Sequence, residues 1–438
     1  MRGRWLVVAL VLAVLGAGVG TWLTRREPTP ACGAEVTSYA AVDARSPFLD
    51  AAQRRADPDP RRDRLVRTLA RDAAPVGEVL GAVGYDYEQL VRVDGFEQGL
   101  GVRLRDSPDL TLLDDTTLAP RWRVAVGTQR SAYDADAERY VVVTRPEDRA
   151  PEVVVLDADT GRREWCARLD GGALPEAASV STQLLDDGLV VRAGGRLARL
   201  GADGPGWEQQ ASGDADTLTS WGPDRLLLGG AAVDDLLDPA ALASRPAGEA
   251  LRLLDARTGE ARWTRSEPRG SGLHVVGVDE AADRAVVARW TARRGGRTEV
   301  RLAALDDRGR QTWSVLPAGG AAFDATVRAG RVLVRAGERW SAYATDDGRR
   351  LWGFRVPRSP QFLPYGADLA AVPLLDADHV LVAGTRALHV VDLRDGTRRS
   401  LPLPTDGVST TYWPYQVALT PSLLAVATST GAVVVRRG

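Results

Sequence analysis

The stretch VLDADTGRREW at residues 155–165 returns almost unchanged as LLDARTGEARW at residues 253–263. Each copy is a β-type run, an Asp-rich turn with glycine, and a tryptophan four residues after that glycine. The pairs are Gly161 with Trp165, Gly259 with Trp263, Gly309 with Trp313, and Gly348 with Trp352. Looser copies place Trp122 after DDTTLAPR and Trp207 after GADGPG, and a seventh, VVDLRDGTRRS, keeps Gly396 but has Ser400 in the tryptophan's place. The tryptophans are 43, 42, 56, 50 and 39 residues apart, with 48 more to Ser400. A period of this length, holding about four short strands, is the signature of a β-propeller. The glycine allows the left-handed backbone that a bulged hairpin needs. The preceding aspartate can accept hydrogen bonds from the turn's own amides. One blade cannot cover both faces of its sheet, so an indole on each outer strand fills the gap to a neighbour. Burying one is worth about 3 kcal/mol.

The unit LDAxTGxxxW resembles the quinoprotein (PQQ-like) propeller repeat over residues 76–438. The resemblance implies an all-β propeller of seven or eight blades. It also implies two kinds of activity, because the same repeat builds quinone-dependent dehydrogenases and the non-catalytic propeller lipoprotein of the outer-membrane assembly machine. Seven blades end near residues 126, 169, 210, 265, 315, 356 and 403, and YQVALT, LLAVATS and GAVVVRR remain as three strands. VGEVLGAV at 76–83 is free to complete them, which predicts an eighth blade shared between the two ends of the chain. Seven blades is the alternative.

The residue inventory points away from an enzyme. All 56 basic residues are arginine, and neither lysine nor asparagine occurs. A P-loop lysine, a Schiff-base lysine and an S-x-x-K nucleophile are therefore impossible. Members of the family that use PQQ with calcium place an asparagine and acidic ligands round the metal, and many carry adjacent cysteines; this chain has neither asparagine nor adjacent cysteines. The three histidines, His274, His379 and His389, match no metal spacing and are expected to be structural. No cofactor and no metal are expected. A net charge of −2 gives no reason to expect nucleic acid as a partner.

Residues 5–23, WLVVALVLAVLGAGVGTWL, are 19 residues without a charge, about 28 Å as a helix and enough to cross a hydrocarbon core. They are expected to be an uncleaved signal anchor. Residues 1–4 would be a cytoplasmic tail, 24–75 a linker with short helices, and 76–438 a propeller on the extracytoplasmic side of the cell membrane. Export permits disulfides, and the only cysteines, Cys32 and Cys166, are expected to pair.

The expected role is a non-catalytic protein-interaction scaffold. Loops joining the second and third strands of a blade (B–C) share a face with those joining successive blades (D–A). That face carries the longest insertion, 229–248, and two aromatic, proline-rich loops, 353–366 and 402–416. Phe362, Tyr365, Tyr412, Trp413 and Tyr415 on those loops are candidate partner-binding residues, being aromatics in proline-stiffened segments. The alternatives are a sensor that binds a small molecule or glycan in the central channel and, less favoured, a quinone-dependent dehydrogenase. The missing asparagine and lysine lead to a first prediction: the purified protein incubated with PQQ and calcium shows no calcium-dependent dye reduction with alcohols or sugars. A saturable quinone spectral shift accompanied by such turnover contradicts it.

Overall fold

The computed structural model describes Cys32, residues 37–40 and residues 78–437 apart from several inter-strand segments. The longer of these are 85–90, 126–131, 170–179, 318–323, 356–375 and 403–415. Eight antiparallel sheets follow one another along the chain as the blades of a propeller. Strand β1 (Thr37–Ala40) and strand β2 (Val79–Gly84) precede the first complete blade. Blade 1 is β3 (Val91–Phe96), β4 (Gly99–Leu104), β5 (Asp109–Asp114) and β6 (Pro120–Ala125). Blade 2 is β7 (Ala132–Ala135) to β10 (Arg163–Arg168), with β8 (Arg139–Thr144) and β9 (Glu152–Asp157) between. Blade 3 comprises β11 (Val180–Leu185), β12 (Gly188–Ala193), β13 (Arg196–Gly201) and β14 (Gly204–Gln210). Blade 4 has β15 (Thr217–Ser220), β16 (Arg225–Gly229), β17 (Gly248–Asp255) and β18 (Ala261–Glu267). Blade 5 has β19 (Ser271–Asp279), β20 (Arg284–Arg293), β21 (Arg297–Leu305) and β22 (Gln311–Val315). Blade 6 runs β23 (Asp324–Arg328), β24 (Arg331–Ala336), β25 (Arg339–Ala344), β26 (Arg350–Arg355). Blade 7 shows β27 (His379–Ala383), β28 (Ala387–Asp392) and β29 (Arg398–Pro402) among the described residues.

The eighth blade closes the ring. Strands β30 (Gln416–Leu419), β31 (Leu423–Ala427) and β32 (Gly431–Arg436) lack an outer partner of their own, and β2 supplies it. Val79 sits opposite Val435 and Gly84 opposite Gly431, so the pairing strand overlaps most of the 76–83 stretch that the sequence suggested. Val79 and Ala82 pack with Leu381, Leu424, Val426 and Val433, so the latch also covers the joint to blade 7.

One element was not foreseen. Thr37–Ala40, inside the expected linker, is a strand paired antiparallel with β6, which makes blade 1 five-stranded. Cys32 is disulfide-bonded to Cys166 on the outer strand of blade 2, with a Cα–Cα distance of 6.0 Å. Chain entropy over the 134-residue separation gives an upper stabilisation of about 5 kcal/mol. The N-terminal segment is thus joined to blades 2, 1 and 8 in turn. The expected membrane span at 5–23 and the short helices expected in the linker lie outside the described residues. Among the described residues, no helix is long and apolar enough to cross a membrane.

The repeated motif works between blades. Each indole projects from the outer strand of its own blade onto the turn glycine of the next. Trp122 lies on Gly161, Trp207 on Gly259, Trp263 on Gly309, Trp313 on Gly348 and Trp352 on Gly396. A methyl carbon on any of these glycines would stand between 2.7 Å (at Gly348) and 2.9 Å (at Gly309) from the ring. The same glycines have φ between 65° at Gly161 and 76° at Gly396. Two separate reasons therefore require glycine: the left-handed turn and the flat seat for the indole. Each ring also donates its Nε1 proton to a carbonyl of that turn. The Trp122 bond to Ala158 O is 2.8 Å, Trp207 to Ala256 O 3.2 Å, Trp263 to Asp307 O 2.9 Å, Trp313 to Thr345 O 2.8 Å and Trp352 to Leu393 O 3.0 Å. The turn is held from within by aspartate: Asp255 Oδ1 accepts from the amides of Arg257 and Thr258, both at 3.0 Å. A hydrogen bond from Arg262, reinforced by those two amides, keeps the Asp255 carboxyl below the ordinary carboxylate range.

Three joints depart from the rule. Trp165 faces blade 3, whose outer hairpin is only Gly201–Gly204, so no glycine seats it; it packs instead against the Val141, Val155 and Leu189 cluster. Ser400, at the tryptophan position of blade 7, lies 2.8 Å from His389 Nδ1. Blade 8 has no tryptophan on β2, and in blade 1 the seat is occupied by Leu118, which keeps the left-handed backbone at φ 57° and buries its side chain with Val93, Leu113 and Leu423. Where no indole arrives, a side chain fills the seat.

The two demands on glycine can be separated by mutation. Gly195 has φ 86° and nothing within 4 Å of an added methyl, whereas Gly348 has φ 72° and the Trp313 ring at 2.7 Å. Gly195→Ala should cost about 1 kcal/mol, for the backbone alone. Gly348→Ala should cost about 2–4 kcal/mol, because overpacking is added. Denaturant midpoints at constant m-value check the difference; equal losses would mean that the seat contributes nothing.

Candidate interaction site

Blades 4 and 5 carry a joint outcrop on the B–C/D–A face. In blade 4 the chain leaves β16 at Gly229 and returns at Gly248, and between them lies α1 (Pro239–Ser244). The helix starts where its sequence dictates: Asp238 caps it by accepting from Ala240 N at 2.8 Å, and proline occupies the first turn. So short a helix has no independent stability, and its apolar side chains hold it down. Leu242 and the preceding Leu236 are buried in one cluster with Ala288, Trp290 and Val300 of blade 5.

That cluster is the base of a hairpin longer than those of the other blades. β20 has 10 residues and β21 has 9, against 4 to 8 for the strands outside blade 5. The insertion also holds the hairpin through its backbone. Gly270 N donates to Arg245 O at 3.0 Å, Ala292 N donates to Gly270 O at 2.8 Å, and Ala231 N donates to Leu273 O at 2.7 Å. Gly272 is needed here, since a methyl on it would lie 2.3 Å from Leu236 Cδ2.

Between the insertion and the sheet runs a cleft of about 220 Å³, lined by Ala231, Arg245, Glu249, Glu267 and Ser271 among others. Glu267 is buried and neutralised by two guanidinium groups, with Arg289 Nε 2.7 Å and Arg265 Nε 3.4 Å away, and Ser271 Oγ lies 3.1 Å from it. Such a satisfied buried carboxylate fixes the base of the hairpin relative to blade 4. At its tip, Arg293, Arg294 and Arg297 surround a two-glycine turn, Gly295 and Gly296, with φ 78° and 70°. Next to the tip stands Leu316, 60% exposed and the one large apolar side chain so exposed among the described residues.

The aromatic candidates Phe362, Tyr365, Tyr412, Trp413 and Tyr415 lie outside the described residues. The arginine tip and Leu316 were missed by sequence reading. Their signal was present as RRGGR between two alternating runs longer than a standard blade strand. The histidines have local partners: His274 Nδ1 is 3.1 Å from Ala231 O, His379 Nδ1 is 2.8 Å from Asp376 Oδ1, and His389 meets Ser400. Among the described residues no three His, Cys, Asp or Glu side chains come together as a metal-binding group.

Eight sheets in sequence, with five of the joints between them made by an indole on a turn glycine, define a PQQ-like propeller. The family model described as outer membrane protein assembly factor BamB matches residues 76–220 and 247–437, and the chain belongs to that family. The match is interrupted over 221–246, which contains α1 and most of the insertion. Among curated proteins none matches the chain in sequence. Solved structures similar to it include BamB from Moraxella catarrhalis, 15% identical over 83% of this chain and 100% of that one, with a TM-score of 0.48. The dihydro-heme d1 dehydrogenase NirN is 16% identical over 86% of this chain and 81% of its own, with a TM-score of 0.49. The quinohemoprotein alcohol dehydrogenase from Comamonas testosteroni is 11% identical over 83% and 77%, with a TM-score of 0.49. At these scores none of the three likenesses bears on function.

The outcrop's rigidity depends on the helix staying docked. Leu242→Ala should cost about 2–4 kcal/mol through the cavity it leaves. Amide exchange should speed up over residues 286–301 more than over the blade 6 strands; uniform acceleration would show that the insertion does not specifically support the hairpin.

Proposed function

We propose that the protein is a non-catalytic scaffold that holds a protein partner on the B–C/D–A face of its propeller, and that residues 5–23 anchor it in the cell membrane with the propeller outside the cytoplasm. The observation that carries this reading is the outcrop of blades 4 and 5. Its blade 4 half falls where the family match is interrupted and supplies a helix that braces the blade 5 hairpin, and that hairpin ends in arginines beside an exposed leucine. Arginine and a preorganised apolar anchor are favoured at protein interfaces, since little ordering entropy is lost on binding. Membership of a family named for outer membrane protein assembly supports a scaffold role. The Cys32–Cys166 bond supports an oxidising compartment, and the uncharged run Trp5–Leu23 supports the anchor.

Photo-crosslinking amino acids placed singly at Arg294 and Leu316, with Arg308 on the opposite C–D face as control, test the reading in intact cells. Discrete protein adducts are expected from the first two positions and not from the third. Adducts confined to Arg308, or the same adducts from all three, would sink the assignment of this face.

A further inference from the structure

The blade 5 hairpin outruns its own outer strand. β20 and β21 stay paired as far as Arg293 and Arg297, whereas β22 pairs only with Leu302 to Leu305. Among the described residues the outer edge of residues 297–301 therefore carries no strand. It opens into a groove of about 650 Å³ lined by Arg293, Arg294, Arg297, Thr298 and Leu316 with their neighbours.

The groove is cationic on a chain whose net charge is −2. Its single carboxylate, Glu299, is engaged by Arg293 at 2.8 Å and lies 3.7 Å from Arg301. Arg294 and Arg297 are exposed and bonded to no carboxylate among the described residues. Thr298 Oγ1 is shielded from solvent and has no hydrogen-bond partner there. An open strand edge offers amides and carbonyls to an extended chain. Guanidinium groups favour carboxylates, and Leu316 offers an apolar contact.

We propose that this groove binds an extended acidic peptide segment of a partner protein, which adds as a strand beside residues 297–301 with its carboxylates on Arg294 and Arg297 and an apolar residue against Leu316. An anionic lipid surface or a nucleic acid would satisfy the arginines and leave the strand edge unused, which is why a peptide is favoured. This inference rests on the proposed scaffold function and names the chemistry of its partner.

The full-length chain in nanodiscs of neutral lipid, titrated into a fluorescein-labelled peptide of alternating glutamate and valine, provides the test by anisotropy. Binding is expected, with a loss of about tenfold or more in the double variant Arg294→Glu/Arg297→Glu, whose exposed positions leave the thermal midpoint in place. The same peptide with every second backbone amide N-methylated should lose binding to a similar degree, as should a lysine–valine peptide. Unchanged affinity in the double variant, or an N-methylated peptide that binds as well as the parent, overturns the proposal. So does equal competition by heparin or phosphatidylglycerol vesicles, which would mark general polyanion binding. The two readings fail separately: peptide binding without cellular crosslinks at Arg294 tells against the scaffold role, and crosslinks without peptide binding tell against the groove.

Discussion

A tryptophan ring lying flat on the next blade's turn glycine is the contact on which the rest of the molecule depends. Blades have no covalent bonds across their faces, and a wedge-shaped gap opens between them toward the rim. Aliphatic side chains fill the narrower part of that gap, as the valines and leucines packed with Trp122 and Trp165 do. Only a wide, flat group closes the outer part while its single polar atom reaches a carbonyl across the joint. The five seated indoles do both. Full burial of such a ring is worth about 3 kcal/mol, a value approached by the buried Trp122, Trp313 and Trp352 and not by the half-buried Trp207 and Trp263. Its bond adds about 1 kcal/mol, and each ring acts between consecutive units, as the energetics of repeat proteins require.

The fold was legible because this contact leaves two marks in the sequence at fixed spacing. The tryptophan and the glycine of one motif copy do not touch each other, however; each meets the copy before or after it. A single copy read alone thus suggests a hairpin with an outer cap and hides the inter-blade partner. Trp165 shows the limit of the pattern. Its copy is among the best in the chain, yet none of the glycines in the next blade's short GADGPG hairpin lies under its ring, and only the length of that hairpin betrays this. Leu118 shows the converse, since DDTTLAP hides a seat that needs no glycine when no indole comes. The strand Thr37–Ala40 was illegible for another reason: four residues are too few to show a period of two.

Function was less legible than fold, and unevenly so. Proline-flanked aromatics drew attention to residues 353–366 and 402–416, because binding surfaces are rich in such residues. The outcrop of blades 4 and 5 has a plainer composition, and its meaning comes from three-dimensional support. Leu236 and Leu242 read as an ordinary amphipathic turn until they meet Trp290 and Val300 across a blade boundary. Likewise, the arginines at 293–297 read as a solvated turn, and only the early end of β22 leaves their edge without a strand among the described residues.

The path of the N-terminal segment has a mechanical consequence. Between residue 31 and the propeller's closing strand β2, the chain is first bonded to blade 2 and then zipped to blade 1. A pull applied upstream of Cys32 is therefore borne by a sulfur–sulfur bond to the body of the ring. The strand that closes the ring, which is held only by hydrogen bonds and packing, lies downstream of that clamp and feels no peeling force. Under such a pull the strongest fastening lies where tension enters and the weakest where it has already been relieved.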